Sequence, residues 1–163
     1  MKKTNFSQDV TAWLDFAEYD LKSAKWQLKG KLYTVACYAS QQAAEKALKA
    51  LLLDVKQTFP KVHSLDRLLS ELKIANVNIT KINKASIELD KYYITARYPG
   101  EYGGPEGLYT KEDTIIAIQS AEKIITFVYD ILDGIKAQEF AKKEKLKEEW
   151  HSHEEVLKEL KLD

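Results

Sequence analysis

Apolar residues recur at alternating intervals of four and three along most of this chain, the rhythm that keeps one stripe on one face of an α-helix. Val10, Leu14, Ala17, Leu21, Ala24 and Leu28 carry it through a first helix predicted from about Gln8 to Leu28, and Trp13 and Phe16 widen the stripe. Ser7 supplies an N-cap and Gly30 a stop. A second helix follows at once, from about Lys31 to Val55, with Cys37, Ala44, Leu48, Leu51 and Val55 as its seam. The short turn at Gly30 makes the two antiparallel neighbours. Ala36, Ala39, Ser40, Ala43 and Ala47 are small enough to let another helix approach closely. Gln42, Glu45 and Lys49 fall on a different face, which reads as solvated or as the wall of a groove.

Pro60 breaks the pattern, and Ser64 caps a third, short helix whose apolar face is Leu65, Leu68, Leu69 and Leu72. A fourth helix is predicted from about Lys81 to Tyr93, with Ile82, Ala85, Leu89 and Tyr92 or Tyr93 as its seam. The stretch YYITARYPGEYGGPEGLYT then reads as loop as far as Thr110. Thr110 and Asp113 form a capping box with a shortened acid. They open a long fifth helix with the seam Ile118, Ala121, Ile125, Val128, Leu132 and Ile135. From Lys136 onward acidic and basic residues alternate, and Leu146, Trp150, His153, Leu157 and Leu160 keep a sparse heptad-like spacing. No strand pattern appears. The expected fold is therefore all-α: an up-and-down bundle of four to five helices over residues 1–135, with a charged C-terminal helical extension over 136–163 that packs on the bundle or on a partner chain.

Composition narrows the classes. The chain has 163 residues, 45% hydrophobic and 31% charged, with a net charge of zero, so no bulk field draws it to nucleic acid and no DNA partner is expected. No apolar stretch is long enough to cross a bilayer, and the lysines of MKKTNFSQDV lead into no apolar run that would make a signal peptide. The single cysteine, Cys37, fits a reducing cytoplasm and reads as a small buried hydrophobe.

The candidate chemistry begins with arginine. Only Arg67 and Arg97 occur beside 23 lysines. A guanidinium is a rigid fork of donors suited to phosphate or carboxylate, so its rare use is informative. Arg67 follows His63 by one helical turn, and Arg97 precedes Tyr98-Pro99, where proline turns the chain out of helical geometry. Each arginine also has a plainer reading, as a cap or the partner of a carboxylate. His63 reads as a general base, a phosphate contact or a structural residue. His151 and His153 point to nearly opposite sides of a helix and make a poor chelate, so no metal or other cofactor is expected. The loop glycines match neither the dinucleotide fingerprint nor the phosphate loop, and no nucleophile signature appears. The loop tyrosines suit either base stacking or packing.

Four segments in this order, WLDFAEYDLKSA, ASQQAAEKALKALLL, HSLDRLLSEL and YYITARYPG, resemble the HEPN domain family over about residues 8 to 133. The resemblance implies an all-helical bundle, often a homodimer, encoded beside or fused to a small nucleotidyltransferase and proposed to bind nucleotides. It also implies that some branches are ribonucleases or toxins, marked by an arginine followed after four to six residues by a histidine. LLSELK follows Arg67 and YPGEYG follows Arg97, and neither window reaches a histidine. His63 of HSL and Arg97, Tyr98 and Pro99 of RYP do carry over. The expectation is thus a non-catalytic, cytoplasmic, homodimeric partner of a nucleotidyltransferase chain that presents Lys49, His63, Arg67, Tyr93, Arg97 and Tyr98 to a nucleotide. A metal-independent ribonuclease of toxin type using His63 and Arg97, and a purely structural assembly module, are the alternatives.

Overall fold

In the computed structural model, residues 7–98 and 104–159 are described, with side chains as far as 142 except that of 140. Helix α1 spans Gln8–Lys29, and its Ser7 cap accepts a hydrogen bond from the Val10 amide at 3.3 Å. Val10, Leu14, Ala17, Leu21 and Ala24 are buried as the spacing predicts. Phe16 is not part of that face: it is 62% exposed, and the expectation that it widens the inward stripe is corrected. Two positions of offset from Leu14 rotate a helical side chain by about 200°, to the opposite side. The turn into α2 (Tyr33–Lys56) also differs in detail. Gly30 caps α1 at φ −77, and the left-handed residue is Lys31 at φ 60.

α2 is the central helix. Alanine and leucine around most of its circumference let it bury nearly every side chain from Ala36 to Leu52, the small residues included. It packs against α1, α3 (Leu65–Ile74), α4 (Asn83–Asp90) and α5 (Tyr92–Thr95). All four predicted leucines of α3 are buried. The predicted fourth helix is split at Lys91 into α4 and the one-turn α5, so the start of the tyrosine stretch is helical rather than loop. α6 runs from Lys111 to Glu159. Its capping box is reciprocal: the Thr110 amide donates to Asp113 at 2.8 Å, and the Asp113 amide to the Thr110 hydroxyl at 3.1 Å.

Thr114 joins α6 to α2 through Cys37 Sγ at 3.7 Å, and Lys25 of α1 pairs with Glu122 at 2.6 Å. Burial pushes the Cys37 thiol up to about 11, as an inert core cysteine requires. No strand occurs among the described residues, and no helix there is long and apolar enough to cross a membrane. The chain divides between Tyr129 and Asp130 into two units. The side chains of Leu146, Trp150, His151, His153, Leu157 and Leu160, together with Pro99, lie outside the described residues.

Candidate functional site

The centre of the site is a carboxylate on the row that the sequence pattern left as either solvated or the wall of a groove. Glu45 is buried in the middle of α2, with its side chain 5% exposed. Its oxygens accept from Lys49 Nζ at 2.8 Å, His63 Nδ1 at 3.1 Å, and the side-chain amides of Gln41 and Gln42 at 3.2 Å each. Lys49 is equally enclosed, under the rings of Trp13 and Phe59 at 5.7 and 5.6 Å. Those rings meet edge-on at 5.1 Å. A buried ammonium beside a buried carboxylate, with the remaining lone pairs taken by amides, is the arrangement in which an ion pair survives desolvation.

His63 stands where this interior network reaches the surface. Gln41 donates to its backbone oxygen at 3.1 Å. The next residue, Ser64, is tied to Asp90 at the end of α4, which also accepts the Leu65 amide at 2.8 Å. With Nδ1–H given to Glu45, the ring is held in one orientation and Nε2 has no hydrogen-bond partner among the described residues. The imidazole stacks on Tyr93 at 4.7 Å with an interplanar angle of 13°.

α5 explains why Tyr93 is available. Tyr92 points into the core, edge-on to Tyr109 at 4.9 Å, and the following residue therefore faces away. Tyr109 bonds Thr95, and Thr34 of α2 donates to the Pro105 carbonyl at 2.6 Å, so both ends of the loop are anchored. Arg97 lies just past α5. Its guanidinium sits 5.2 Å from the Tyr93 ring centroid, 5.3 Å from Tyr98 and 5.5 Å from Tyr38. No carboxylate lies within ion-pair reach of it among the described residues. Tyr38 beside it holds the guanidinium above its ordinary value, so Arg97 is charged at every relevant pH. Burial raises the Tyr38 phenol, against the pull of Arg97.

Of the six predicted ligand residues, Lys49 and His63 meet through Glu45, while Tyr93, Arg97 and Tyr98 form one aromatic-cationic group that His63 joins by stacking. Arg67 is not drawn in. It is exposed on the first turn of α3, its amide donates to the Ser64 cap at 3.4 Å, and its guanidinium has no ion-pair partner among the described residues. Gln41 and Tyr38 are residues that reasoning from the sequence missed, and Glu45, named there only as one of a row, turns out to be the centre of the network. One signal was there: glutamate on a helix alanine-rich all round has nowhere to reach water. A separate cavity of about 500 Å³, lined by Asp9, Ala12, Trp13, Phe16, Lys46, Leu53 and Phe59, shares two rings with the wall around Lys49.

A protein-family model described as HEPN domain matches residues 10–132. The chain is a HEPN domain protein. It is 35% identical over 126 residues to "Putative toxin MJ1304" of Methanocaldococcus jannaschii, covering 71% of this chain and 83% of that protein. Among solved structures, this HEPN chain resembles TT1696 from Thermus thermophilus, with a TM-score of 0.69 and 36% identity, covering 74% of this chain and 96% of the other. ST0689, an archaeal HEPN homologue, matches with a TM-score of 0.63 and 35% identity, covering 76% and 97%. These relatives span the HEPN bundle almost end to end, and the family match stops at residue 132.

Proposed function

We propose that this HEPN domain binds a phosphate-bearing ligand, a nucleotide, on the face formed by His63, Tyr93, Arg97 and Tyr98 with Tyr38. We further propose that it does so as a cytoplasmic homodimer that docks a nucleotidyltransferase chain. The observation that carries the reading is Arg97: a permanently charged fork, exposed, held by rings and facing no carboxylate among the described residues. Such a cation, even with a hydrogen bond to Tyr93, keeps donors for an incoming anion, and a flanking tyrosine offers a surface for a base. His63 adds a second nitrogen at the edge of the same face. Lys49 acts from behind, by neutralising the carboxylate that orients His63, and Arg67 extends the positive surface one turn along α3. Calorimetry with nucleoside triphosphates on the wild-type chain and on Arg97→Ala tests the ligand. Measurable heat that falls at least about tenfold in affinity in the variant is expected. Equal binding by both proteins sinks the assignment of Arg97.

A second reading, a metal-independent ribonuclease, rests on the Glu45–His63 contact. A carboxylate on Nδ1 fixes the tautomer that leaves Nε2 free to accept a proton. In that reaction Nε2 would take the proton of a ribose 2′-hydroxyl while the oxygen attacks phosphorus. The P–O5′ bond would break to leave a 2′,3′-cyclic phosphate, the 5′-oxygen taking its proton from solvent water, and Arg97 would hold the phosphoryl oxygens. The name of the M. jannaschii relative supports a toxin-type role. Cleavage of a mixed RNA pool that disappears in both His63→Ala and Glu45→Gln is the expected result. RNA left intact by the wild-type chain, or cut as fast by His63→Ala, removes this reading and leaves the nucleotide site standing.

A further inference from the structure

The cavity of about 500 Å³ lies within the first unit and shares no lining residue with the Arg97 face. α1 supplies one wall: Asp9, Trp13 and Phe16 follow one another at intervals of four and three, so they stand on one side of the helix. Phe59, from the segment after α2, meets Trp13 with the two rings at 83°. Perpendicular rings form a corner in which a rounded head group meets aromatic surface on two sides. The same rings lie near the Lys49 ammonium, which does not itself line the cavity. Their π systems thus already partner a positive charge, and Glu45 cancels the Lys49 charge that would otherwise oppose a second cation. The cavity's own two charged groups differ. Lys46 is bonded to Asp20, whereas Asp9 makes no hydrogen bond or ion pair among the described residues. Asp9 stands in the first turn of α1, where the helix dipole favours a carboxylate without occupying its oxygens.

We propose that this cavity binds a small organic cation, a methylated ammonium carried on an apolar body. The sign of the charge follows from Asp9, whose carboxylate is the uncommitted charge of the lining, and from the rings beside it, whose faces attract cations. Methylation follows from the count of acceptors. A primary ammonium brings three N–H donors, and each asks for an acceptor. The lining offers the Asp9 carboxylate, and most of the rest is ring and hydrocarbon. Methyl groups replace those donors with surface that rings and aliphatic side chains touch without leaving a hydrogen bond unmade. The apolar body follows from size. The cavity falls within the range of small-ligand sites, about 300–1,000 Å³. A methylated head group fills only part of that space, which leaves Ala12 and Leu53 to receive the body.

Calorimetry with benzyltrimethylammonium on the full-length chain tests the site, with phenylacetate and benzyl alcohol as the anionic and neutral comparisons. The expected result is saturable binding of the cation with a Kd on the order of 1 mM or tighter, and at least about fivefold weaker binding of both comparisons. Asp9→Asn should weaken the cation at least about fivefold, and Phe16→Leu, which trades a ring for hydrocarbon, about threefold. Asp15→Asn removes an equal charge from α1 outside the lining and should leave the affinity within about twofold, since an exposed charge at that distance is screened. Asp9, Asp15 and Phe16 are all exposed, so an unchanged thermal melt separates lost binding from lost fold. No binding of the cation, binding of phenylacetate or benzyl alcohol as tight as that of the cation, or an affinity that Asp9→Asn leaves unaltered or Asp15→Asn lowers equally overturns the proposal.

Discussion

Two cations of this domain, Lys49 and Arg97, solve opposite problems within one neighbourhood. Lys49 is enclosed, and its ammonium meets a carboxylate at 2.8 Å with two aromatic rings above it. Arg97 is exposed and meets three tyrosine rings and no carboxylate among the described residues. A buried charge has no water to fall back on, so its counter-charge is obligatory and its role is architectural. An exposed guanidinium keeps its hydration, so rings can steer it while most of its five donors still face water. Glu45 and the His63–Tyr93 stack connect the two. The comparison separates a charge that holds the fold from one whose proposed role is to meet a ligand.

The largest expected effect is on the buried side. Glu45→Ala strands the Lys49 ammonium without its partner and should destabilise the domain by about 3–5 kcal/mol, read from urea unfolding. A loss under about 1 kcal/mol would mean that water reaches the pair. On the exposed side, Arg97→Ala should leave the unfolding midpoint in place and lower nucleotide affinity by about tenfold or more. Arg97→Lys should not restore it, because a flexible ammonium lacks the planar fork that lies among Tyr38, Tyr93 and Tyr98. Full rescue by lysine would erase the distinction between the two cations. A sharper case is the double variant Glu45→Gln with Lys49→Met, which removes both charges at similar volume. It should sit within about 1 kcal/mol of the wild type and clearly above Glu45→Ala, while still losing the orientation of His63.

The smallest effect concerns an exposed carboxylate held by the backbone. The Thr110 amide, then its hydroxyl, holds the Asp113 carboxyl below its ordinary value of 3.8. Because the folded-state value is depressed, the cap's contribution is fully present above pH 3.8 and is lost as pH falls through the lowered value. Asp113→Asn should cost about 1 kcal/mol or less at neutral pH and flatten that acid limb, as seen in thermal melts from pH 6 down to about 2. An unchanged limb would place the acid sensitivity in another carboxylate.

Much of the architecture was legible before any coordinates. The inner stripe of α1, the four leucines of α3, the Ser64 cap and the Thr110 box all follow from spacing and local hydrogen bonding, which act within a few residues. The site was half legible. His63, Tyr93, Arg97 and Tyr98 stood out by residue type and by the resemblance of the HSL and RYP segments, and they do form one group. Arg67 stood out by rarity and by following His63 by one turn, and no side-chain contact joins it to that group among the described residues. Glu45 stayed undecided between solvent and a groove wall because a polar row on a helix says nothing about how many neighbours that helix has.

That limit divides the molecule's information. The linear pattern by itself determined most of the helical segments, α5 excepted, which face of most helices is apolar, and where capping chemistry starts α1, α3 and α6. These depend on period and on near neighbours. Only the tertiary structure decided that α2 is surrounded, so that Glu45 and Lys49 must neutralise each other. It also decided that Tyr92 takes the core and leaves Tyr93 to His63 and Arg97. Enclosure depends on elements far apart in the chain, and the burial it imposes, not the residue type, determines whether a charge must be paired inside the fold or stays exposed to water.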